Sequence, residues 1–207
     1  DIEDEEITER ELTQKYLVKK LKTKDFGKVD ELKLKEQKII SMKGIERFVN
    51  LKVLSLEGNK IRRLESMKHF RQLEELYMRN NLIESLKGLD GCHELMNVDF
   101  SLNRIDAVGE YDLSNCKKII ELDLSDNPIT SFAGLKYLSE LDNMNISMNK
   151  NVRDLSLLPP LLVLSKLSAE YCKITNLKFI HTKFPNLNVG NFRNNDMKFY
   201  EDIEHIK

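Results

Sequence analysis

The stretch LKVLSLEGNKIRRLESMKHF, from Leu51 to Phe70, decides the fold because its pattern recurs along the chain at a nearly constant spacing. If Leu51 is position 1, apolar residues stand at positions 1, 4, 6, 11, 14, 17 and 20, and Asn59 stands at position 9. The same frame returns 22 residues later, from Leu73. Self-similarity at a short fixed period predicts a solenoid, in which each repeat packs only against its neighbours.

Eight copies of this frame follow one another. They begin at Val29, Leu51, Leu73, Leu95, Ile119, Leu141, Leu164 and Leu187. The fourth copy is longer than the second, and we place Val108 and Tyr111 at its apolar positions 14 and 17. The sixth copy carries an insertion at Asn151 and Val152 and a turn at Pro159. We therefore expect one domain of eight repeats over residues 29–207, preceded by a separate segment over residues 1–28.

Positions 3 to 7 of each repeat have the alternation of a short strand. Positions 4 and 6 point inward, so positions 3, 5 and 7 face the open side of a parallel sheet. The asparagine at position 9 ends the strand, and its amide is suited to pair backbone groups of adjacent turns that would otherwise be buried without partners. Gln37 takes this position in the first repeat, and Cys172 interrupts the series in the seventh. The expected ladder consists of Asn59, Asn81, Asn103, Asn127, Asn149 and Asn195.

Residues 1–28 predict an acidic tail and a capping helix. Thr8 and Glu11 match a capping box, and Leu12, Leu17 and Leu21 follow at helical spacing, which predicts a helix from about Thr8 to Lys22. The first strand of a solenoid exposes an apolar end and an unpaired backbone edge, so we expect this helix to cover them. Binding of a partner by the helix is the alternative. The convex side has room only for short 3₁₀ or α turns.

Composition narrows the classes of function. Charged residues make up 32% of the chain and the formal net charge is −1, so no overall field favours nucleic acid or a membrane. The chain opens DIEDEE, without an initiator Met or a signal peptide, which suggests an excerpt of a longer protein. Cys92, Cys116 and Cys172 occupy apolar positions, so we expect buried thiols in a reducing, cytoplasmic compartment.

The frame LxxLxLxxNxIxxLxxLxxF resembles the short eukaryotic class of leucine-rich repeats found in the nuclear regulatory subunit of protein phosphatase 1, axonemal dynein light chain and centriolin. The resemblance implies an α/β fold. It is a right-handed leucine-rich-repeat solenoid with a concave parallel sheet, short convex turns and an N-terminal capping helix. It also implies a non-catalytic module that binds proteins. The C-terminal cap usual in this class, with its Asn-Pro and Tyr signature, is missing after Tyr200.

The lead-in over residues 7–34 is similar to the capping segment of centriolin and some ciliary proteins. This similarity implies a cytoskeletal, centrosomal or ciliary adaptor. A regulatory subunit of a protein phosphatase 1-type phosphatase and a component of an RNA–protein complex are the alternatives. The latter would require a basic concave face.

Acidic side chains mark the middle of the expected concave face. Asp99 and Asp123 fall in register on neighbouring strands, about 5 Å apart, with Glu121 and Asp126 close by. Such a cluster favours a protein partner with a basic surface, although a solvated polar face explains the pattern equally well. Because aromatic and arginine side chains dominate interfaces, the full set of candidates is Tyr77, Arg79, Asp99, Arg104, Glu121, Asp123, Asp126, Glu170, Tyr171 and Arg193.

The sequence gives less support to a catalytic or metal-binding site. A carboxylate pair of this spacing also fits a retaining glycosidase, but an open sheet provides no pocket. Asp123 begins a segment like a calcium loop, yet Pro128 replaces its required glycine. We therefore expect no enzyme activity, no cofactor and no metal, in a monomeric array. Leu102 and Met148, at position 8, either extend an apolar strip to Tyr171 or pack half-buried. The sequence does not decide whether the concave or the convex face binds.

Overall fold

The computed structural model describes residues 9–198. Within that range the chain forms one sheet of eight parallel strands whose spatial order is their order in the sequence. The strands are β1 (Glu31–Lys33), β2 (Val53–Ser55), β3 (Glu75–Tyr77), β4 (Asn97–Asp99), β5 (Glu121–Asp123), β6 (Asn143–Asn145), β7 (Lys166–Ser168) and β8 (Val189–Asn191). This sheet confirms the predicted architecture of one short parallel strand per repeat.

Each strand pairs with the next in the register that the repeat frame predicts. Leu32 lies opposite Leu54, which lies opposite Leu76, and all three side chains are buried. One continuous hydrophobic core runs behind the sheet, built from positions 4, 6, 11, 14, 17 and 20 of successive repeats. In β8 the central residue is the exposed Gly190, so the sheet loses its apolar lining at that end.

The N-terminal helix is shorter than the sequence suggests. Helix α1 spans Gln14–Leu21, and its N-cap is Thr13, whose hydroxyl accepts a hydrogen bond from the Tyr16 N–H at 3.2 Å. The prediction of a helix from about Thr8 is therefore wrong for residues 9–13, and Thr8 itself lies outside the described residues. The physical reason is that Arg10 instead bridges Ile39 of the first repeat in extended conformation.

This N-terminal segment packs on the first repeat. The Arg10 N–H donates to the Lys38 carbonyl at 2.9 Å, and the Tyr16 hydroxyl donates to Gln37 Oε1 at 3.1 Å. Leu12 and Leu17 are buried in the shared core. Gln37 stands where later repeats carry asparagine, and its longer side chain bonds the helix because no repeat precedes it.

The helices on the convex side of the repeats are short, and not every repeat has one. They are 3₁₀ helices at Ile45–Arg47, Met67–His69, Ala133–Tyr137 and Leu155–Leu157, and the four-residue helix α2 at Ile180–Lys183. This confirms the expected short convex turns. Among residues 9–198, none of the helices has the length and apolar character needed to cross a membrane.

The fourth repeat corrects the predicted frame. Tyr111 was assigned to the core, but its side chain is 68% exposed, while Leu113 and Cys116 are buried. The additional residues form a turn in which the Gly109 N–H donates to Asp112 Oδ2 at 2.9 Å and the Asp112 N–H donates to the Gly109 carbonyl at 3.1 Å. The turn carries Tyr111 out of the core, and Leu113 takes its place.

The position-9 asparagines form the predicted ladder. Asn103 Nδ2 donates at 3.0 Å both to the Met78 carbonyl of the preceding repeat and to the Phe100 carbonyl of its own repeat. Its Oδ1 accepts the Ile83 N–H at 3.0 Å. Asn59, Asn81, Asn127, Asn149 and Asn195 make the corresponding bonds. Each amide therefore joins two neighbouring turns.

The interruption at Cys172 is accommodated locally. Its thiol donates to the Ile146 carbonyl at 3.4 Å, which replaces the amide donor, but it supplies no oxygen in place of Oδ1. The N–H that would need this oxygen belongs to Val152, and it bonds the Asn149 carbonyl of its own repeat at 3.0 Å. The insertion at Asn151 and Val152 thus removes the need for an asparagine in the next repeat.

We predict that Asn103→Ala lowers the free energy of unfolding by about 3 kcal/mol, because several buried backbone groups lose their partner. Asn97→Ala is the matched control, since Asn97 lies on the open face of the same repeat and should change stability by no more than about 0.5 kcal/mol. Chemical denaturation followed by circular dichroism measures both. Equal stabilities of the two variants would contradict the ladder.

We predict that Leu113→Ala lowers the free energy of unfolding by about 2–5 kcal/mol, as expected for a truncated core leucine. Tyr111→Ala should have little effect, because the tyrosine is largely exposed. Thermal melts of both variants test the corrected frame of the fourth repeat. A larger loss of stability for Tyr111→Ala than for Leu113→Ala would support the frame that places Tyr111 in the core.

Candidate functional site

The open faces of β3 to β6 form a shallow depression of about 230 Å³ in the middle of the concave sheet. The repeat pattern explains the polar composition of this depression, because the strand residues at positions 3 and 5 of each repeat point away from the core. Its lining consists of Tyr77, Asn97, Val98, Asp99, Glu121, Leu122, Asp123, Asn143 and Asn145. Four of the predicted candidates, Tyr77, Asp99, Glu121 and Asp123, are therefore brought together.

Asp99 and Asp123 lie opposite each other on β4 and β5, in the register expected from the sequence. Both carboxylates are held in the same way by the serine two residues later. Oδ1 of Asp99 accepts the Ser101 N–H at 2.8 Å and the Ser101 hydroxyl at 2.6 Å. Oδ1 of Asp123 accepts the same two bonds from Ser125, at 2.8 and 2.6 Å. The pair is thus fixed in orientation before any partner arrives.

The Oδ2 atoms of Asp99 and Asp123 differ in their hydrogen bonds. Oδ2 of Asp123 accepts the Asn145 amide at 2.9 Å. Among the described residues, no hydrogen bond occupies Oδ2 of Asp99, the Glu121 carboxylate or the amides of Asn97 and Asn143. These groups remain available to a bound molecule. The asparagines were not among the predicted candidates, although their positions 3 and 5 in the repeat could have identified them.

The surroundings shift the pKa of two groups in the depression. Burial raises the pKa of the Asp99 carboxyl, and the Asp123 carboxylate adds to the increase, while the hydrogen bonds from Ser101 and the charge of Arg79 oppose it. Burial also raises the pKa of Tyr77, to about 12, together with its hydrogen bond to Glu75 and the charge of Glu121. The depression therefore favours molecules that bring positive charge.

Arg79 lies beside this acidic group. Its Nη1 donates to the Ser101 hydroxyl at 2.8 Å, and that hydroxyl in turn bonds Asp99. The structure thus places one guanidinium at the edge of the depression. It offsets part of the negative charge on the β3 side, so Glu121 and Asp123 form the more negative half.

The other candidates lie elsewhere. Asp126 and Tyr171 occupy position 8 and Arg104 occupies position 10, all after the strands, so they lie at the edge of the concave face and outside its floor. Glu170 follows β7 and accepts the amide of Asn191. Arg193 is exposed after β8. These five do not line the depression.

Position 8 has a backbone conformation that the sequence frame did not reveal. It is left-handed in all eight repeats, with positive φ at Glu36, Gly58, Asn80, Leu102, Asp126, Met148, Tyr171 and Asn194. Leu102 is half-buried, but Met148 and Tyr171 are 44% and 54% exposed. Of the two arrangements expected for these residues, Leu102 packs half-buried, whereas Met148 is exposed, as Tyr171 is.

Reactive chemistry has few candidates in the described part of the chain. No group of three or more His, Cys, Asp or Glu residues between residues 9 and 198 is arranged to hold a metal ion. The three cysteines are free and buried, as predicted. Burial raises the pKa of Cys92 and Cys116 to about 12 and that of Cys172 to about 11, so all three are protonated thiols at neutral pH.

Comparison with protein families matches residues 49–91 to the model described as Leucine Rich repeats (2 copies). The match covers the second repeat and most of the third, which include the stretch from Leu51 to Phe70. The comparison with curated proteins gave no significant match.

Solved structures share the fold over most of the chain. Internalin C2 from Listeria monocytogenes superposes with a TM-score of 0.76 at 23% identity, covering 88% of this chain and 79% of that one. An internalin, InlF, from the same organism gives 0.65 at 20% identity, covering 84% of this chain and 57% of that one. TLR13, in a complex with ssRNA13, gives 0.64 at 24% identity, covering 74% of this chain and 23% of that one. At these identities the likeness shows a leucine-rich-repeat solenoid fold.

We predict that Asp99→Asn raises the melting temperature at pH 7. The raised pKa means that ionised Asp99 destabilises the folded state at neutral pH, and this penalty disappears as the pH falls through the folded pKa toward the unfolded value of about 4. The advantage of the variant should therefore shrink on acidification. Melts between pH 7 and pH 4, with the exposed Asp106→Asn as control, test this, and a constant difference across that range would contradict it.

Proposed function

We propose that this chain, which has the fold of a leucine-rich-repeat solenoid, is a non-catalytic scaffold whose concave sheet binds a basic segment of a protein partner. The observation that carries the proposal is the depression at β3 to β6, where carboxylates with unoccupied oxygens converge on a prearranged surface. Glu121 and Asp123 of β5 are its acidic centre, and Asp99 of β4 supplies a further unoccupied oxygen.

The local hydrogen bonds favour recognition by charge and shape. Ser101 and Ser125 fix Asp99 and Asp123, so little conformational entropy is lost when a cation binds between them. Asn97 and Asn143 offer amides on either side, which are suited to backbone groups of a peptide. A lysine or arginine side chain of the partner would take the place of solvent next to Asp99 Oδ2 and Glu121.

The shape of the site supports binding over catalysis. Acid–base chemistry by two carboxylates depends on a pocket that excludes water around the reacting groups. This depression lies on an open sheet, and the Oδ1 atoms of Asp99 and Asp123 are both occupied by serine hydroxyls and N–H groups. The arrangement suits a partner that covers the sheet and keeps its own chemistry elsewhere.

The cellular setting that we propose is cytoplasmic, as a monomeric cytoskeletal, centrosomal or ciliary adaptor. The support is the similarity of the lead-in over residues 7–34 to capping segments of such proteins. A regulatory subunit of a protein phosphatase 1-type phosphatase is the second candidate, and it is supported by the repeat frame alone.

Binding of an RNA–protein complex is the third candidate. The TLR13 structure is a complex with ssRNA13, so this fold is compatible with nucleic acid in another protein. Nucleic-acid binding relies on cations that neutralise phosphates. Asp99, Glu121 and Asp123 would repel phosphates from the centre of this sheet, which favours a basic polypeptide.

Affinity purification from the source cells, read by mass spectrometry, tests the proposal. We predict that Asp99→Lys/Asp123→Lys loses at least one protein that the wild type retains, because reversing two charges repels a basic partner. Glu84→Lys/Asp106→Lys is the matched control, since it reverses two exposed carboxylates outside the sheet and should retain that protein.

Binding of this protein to the wild-type chain should persist after nuclease treatment. The protein should also carry a basic segment that binds the purified chain directly. Loss of the protein after nuclease treatment would support the RNA–protein alternative. An identical set of bound proteins for wild type and Asp99→Lys/Asp123→Lys would contradict the concave site.

A further inference from the structure

A second surface lies at the edge of the concave face, where the chain leaves the strands. In three repeats an apolar residue at position 8 is followed two residues later by a cation at position 10. We call these six residues the rim: Leu102 and Arg104, Met148 and Lys150, Tyr171 and Lys173. The residue between each pair, at position 9, points into the ladder, so positions 8 and 10 both lie on the outer side of the turn.

The apolar rim residues carry a steric cost. Their φ angles are 54° at Leu102, 62° at Met148 and 51° at Tyr171, in the left-handed region that side chains with a bulky Cβ substituent disfavour. Other repeats place residues there that tolerate this region, namely Gly58, Asn80 and Asn194. Leu102, Met148 and Tyr171 therefore depart from the residue types that suit the turn.

At Met148 and Tyr171, packing within the chain does not offset this cost. Met148 and Tyr171 remain 44% and 54% exposed, so folding buries only part of their apolar surface. Strained backbone positions are enriched at functional sites, and contiguous exposed apolar groups mark interaction surfaces.

The rim cations are available. Arg104, Lys150 and Lys173 are exposed, and none of them forms an ion pair within the described residues. Seven cations elsewhere in residues 9–198 do pair with carboxylates. The rim thus combines apolar groups with uncompensated positive charge, which complements an acidic amphipathic surface.

The spacing of the rim fits a helix. The position-8 N–H groups bond the next repeat at 3.0 Å from Leu102, 2.7 Å from Met148 and 3.1 Å from Tyr171, so this position keeps the strand spacing of about 4.8 Å. Met148 and Tyr171 are one repeat apart, close to the helical pitch of about 5.4 Å. Same-face residues of an extended peptide repeat at about 6.6–6.8 Å, which matches less well.

We propose that the rim is a docking site for an acidic amphipathic helix of a partner protein, laid across repeats four to seven. Its apolar residues, spaced i, i+7, and i+10 or i+11, contact Leu102, Met148 and Tyr171, in the manner of a helix on a hydrophobic strip. Its glutamates and aspartates pair with the three cations. Asp126 stands at position 8 of the fifth repeat, within this strip, and weakens the attraction.

Selection from a phage-displayed library of random 16-residue peptides tests the rim directly. Peptides are selected on the wild-type chain and depleted on Met148→Asn/Tyr171→Asn. The expected products carry apolar residues at helical spacing and a net negative charge. Products without helical spacing or with a net positive charge, or a failure to obtain any peptide that distinguishes the two proteins, would overturn the proposal.

The selected peptide is then measured by fluorescence anisotropy. Met148→Asn/Tyr171→Asn and Lys150→Glu/Lys173→Glu should each weaken binding at least tenfold, while Lys87→Glu/Lys117→Glu, which reverses two exposed cations elsewhere, should leave it within twofold. Asp126→Asn should strengthen binding of an acidic peptide, because it removes a repelling charge. A basic peptide would instead bind this variant more weakly than the wild type. Equal affinity for wild type and the rim variants would overturn the proposal.

Folding serves as the internal control. Asparagine suits the left-handed turn better than methionine or tyrosine, so Met148→Asn/Tyr171→Asn should keep or raise the melting temperature while it loses the peptide. If that variant melts well below the wild type, Lys150→Glu/Lys173→Glu decides the outcome, because those side chains are exposed and make no ion pair within residues 9–198.

Discussion

The amide of the position-9 asparagine is the interaction on which the structure depends. Each one donates to a carbonyl of the preceding repeat and also accepts an N–H of that preceding repeat, as Asn103 does with Met78 and Ile83. Without it, the turn that follows every strand would bury unpaired backbone groups. The two exceptions support this account, because Gln37 bonds the N-terminal segment and Cys172 coincides with an insertion that re-pairs Val152.

The ladder also determines which side chains are displayed. It fixes neighbouring repeats at the strand spacing, so residues at one position of the frame form a row across the molecule. The row at position 5 brings Asp99 beside Asp123, and the row at position 8 aligns Met148 with Tyr171. The core and the ladder occupy the remaining positions of the frame. The charge and hydrophobicity of the side chains in these two rows can therefore vary while the fold is kept.

The repeat period predicted the strand order, the register and the pairing of Asp99 with Asp123, since all three follow from a fixed frame. The prediction failed where the frame is interrupted and where it carries no information on the backbone conformation. The turn at Gly109–Asp112 displaced Tyr111 from the core, and pairing of Arg10 with Ile39 took the place of an earlier helix start. The left-handed conformation at position 8 left only a partial signal, because Gly58, Asn80 and Asn194 suit it whereas Leu102, Met148 and Tyr171 do not.

Carboxyl footprinting of the complex tests the central claim, that the acidic depression is the surface that a partner covers. The chain is labelled alone and with the protein that it captures, and modification is quantified for individual carboxylates by mass spectrometry. Labelling of Glu121, Asp123 and Asp99 should fall severalfold on binding, while that of Glu84 and Asp106, outside the sheet, should stay constant. Unchanged labelling of Glu121 and Asp123 in a saturated complex would contradict the account.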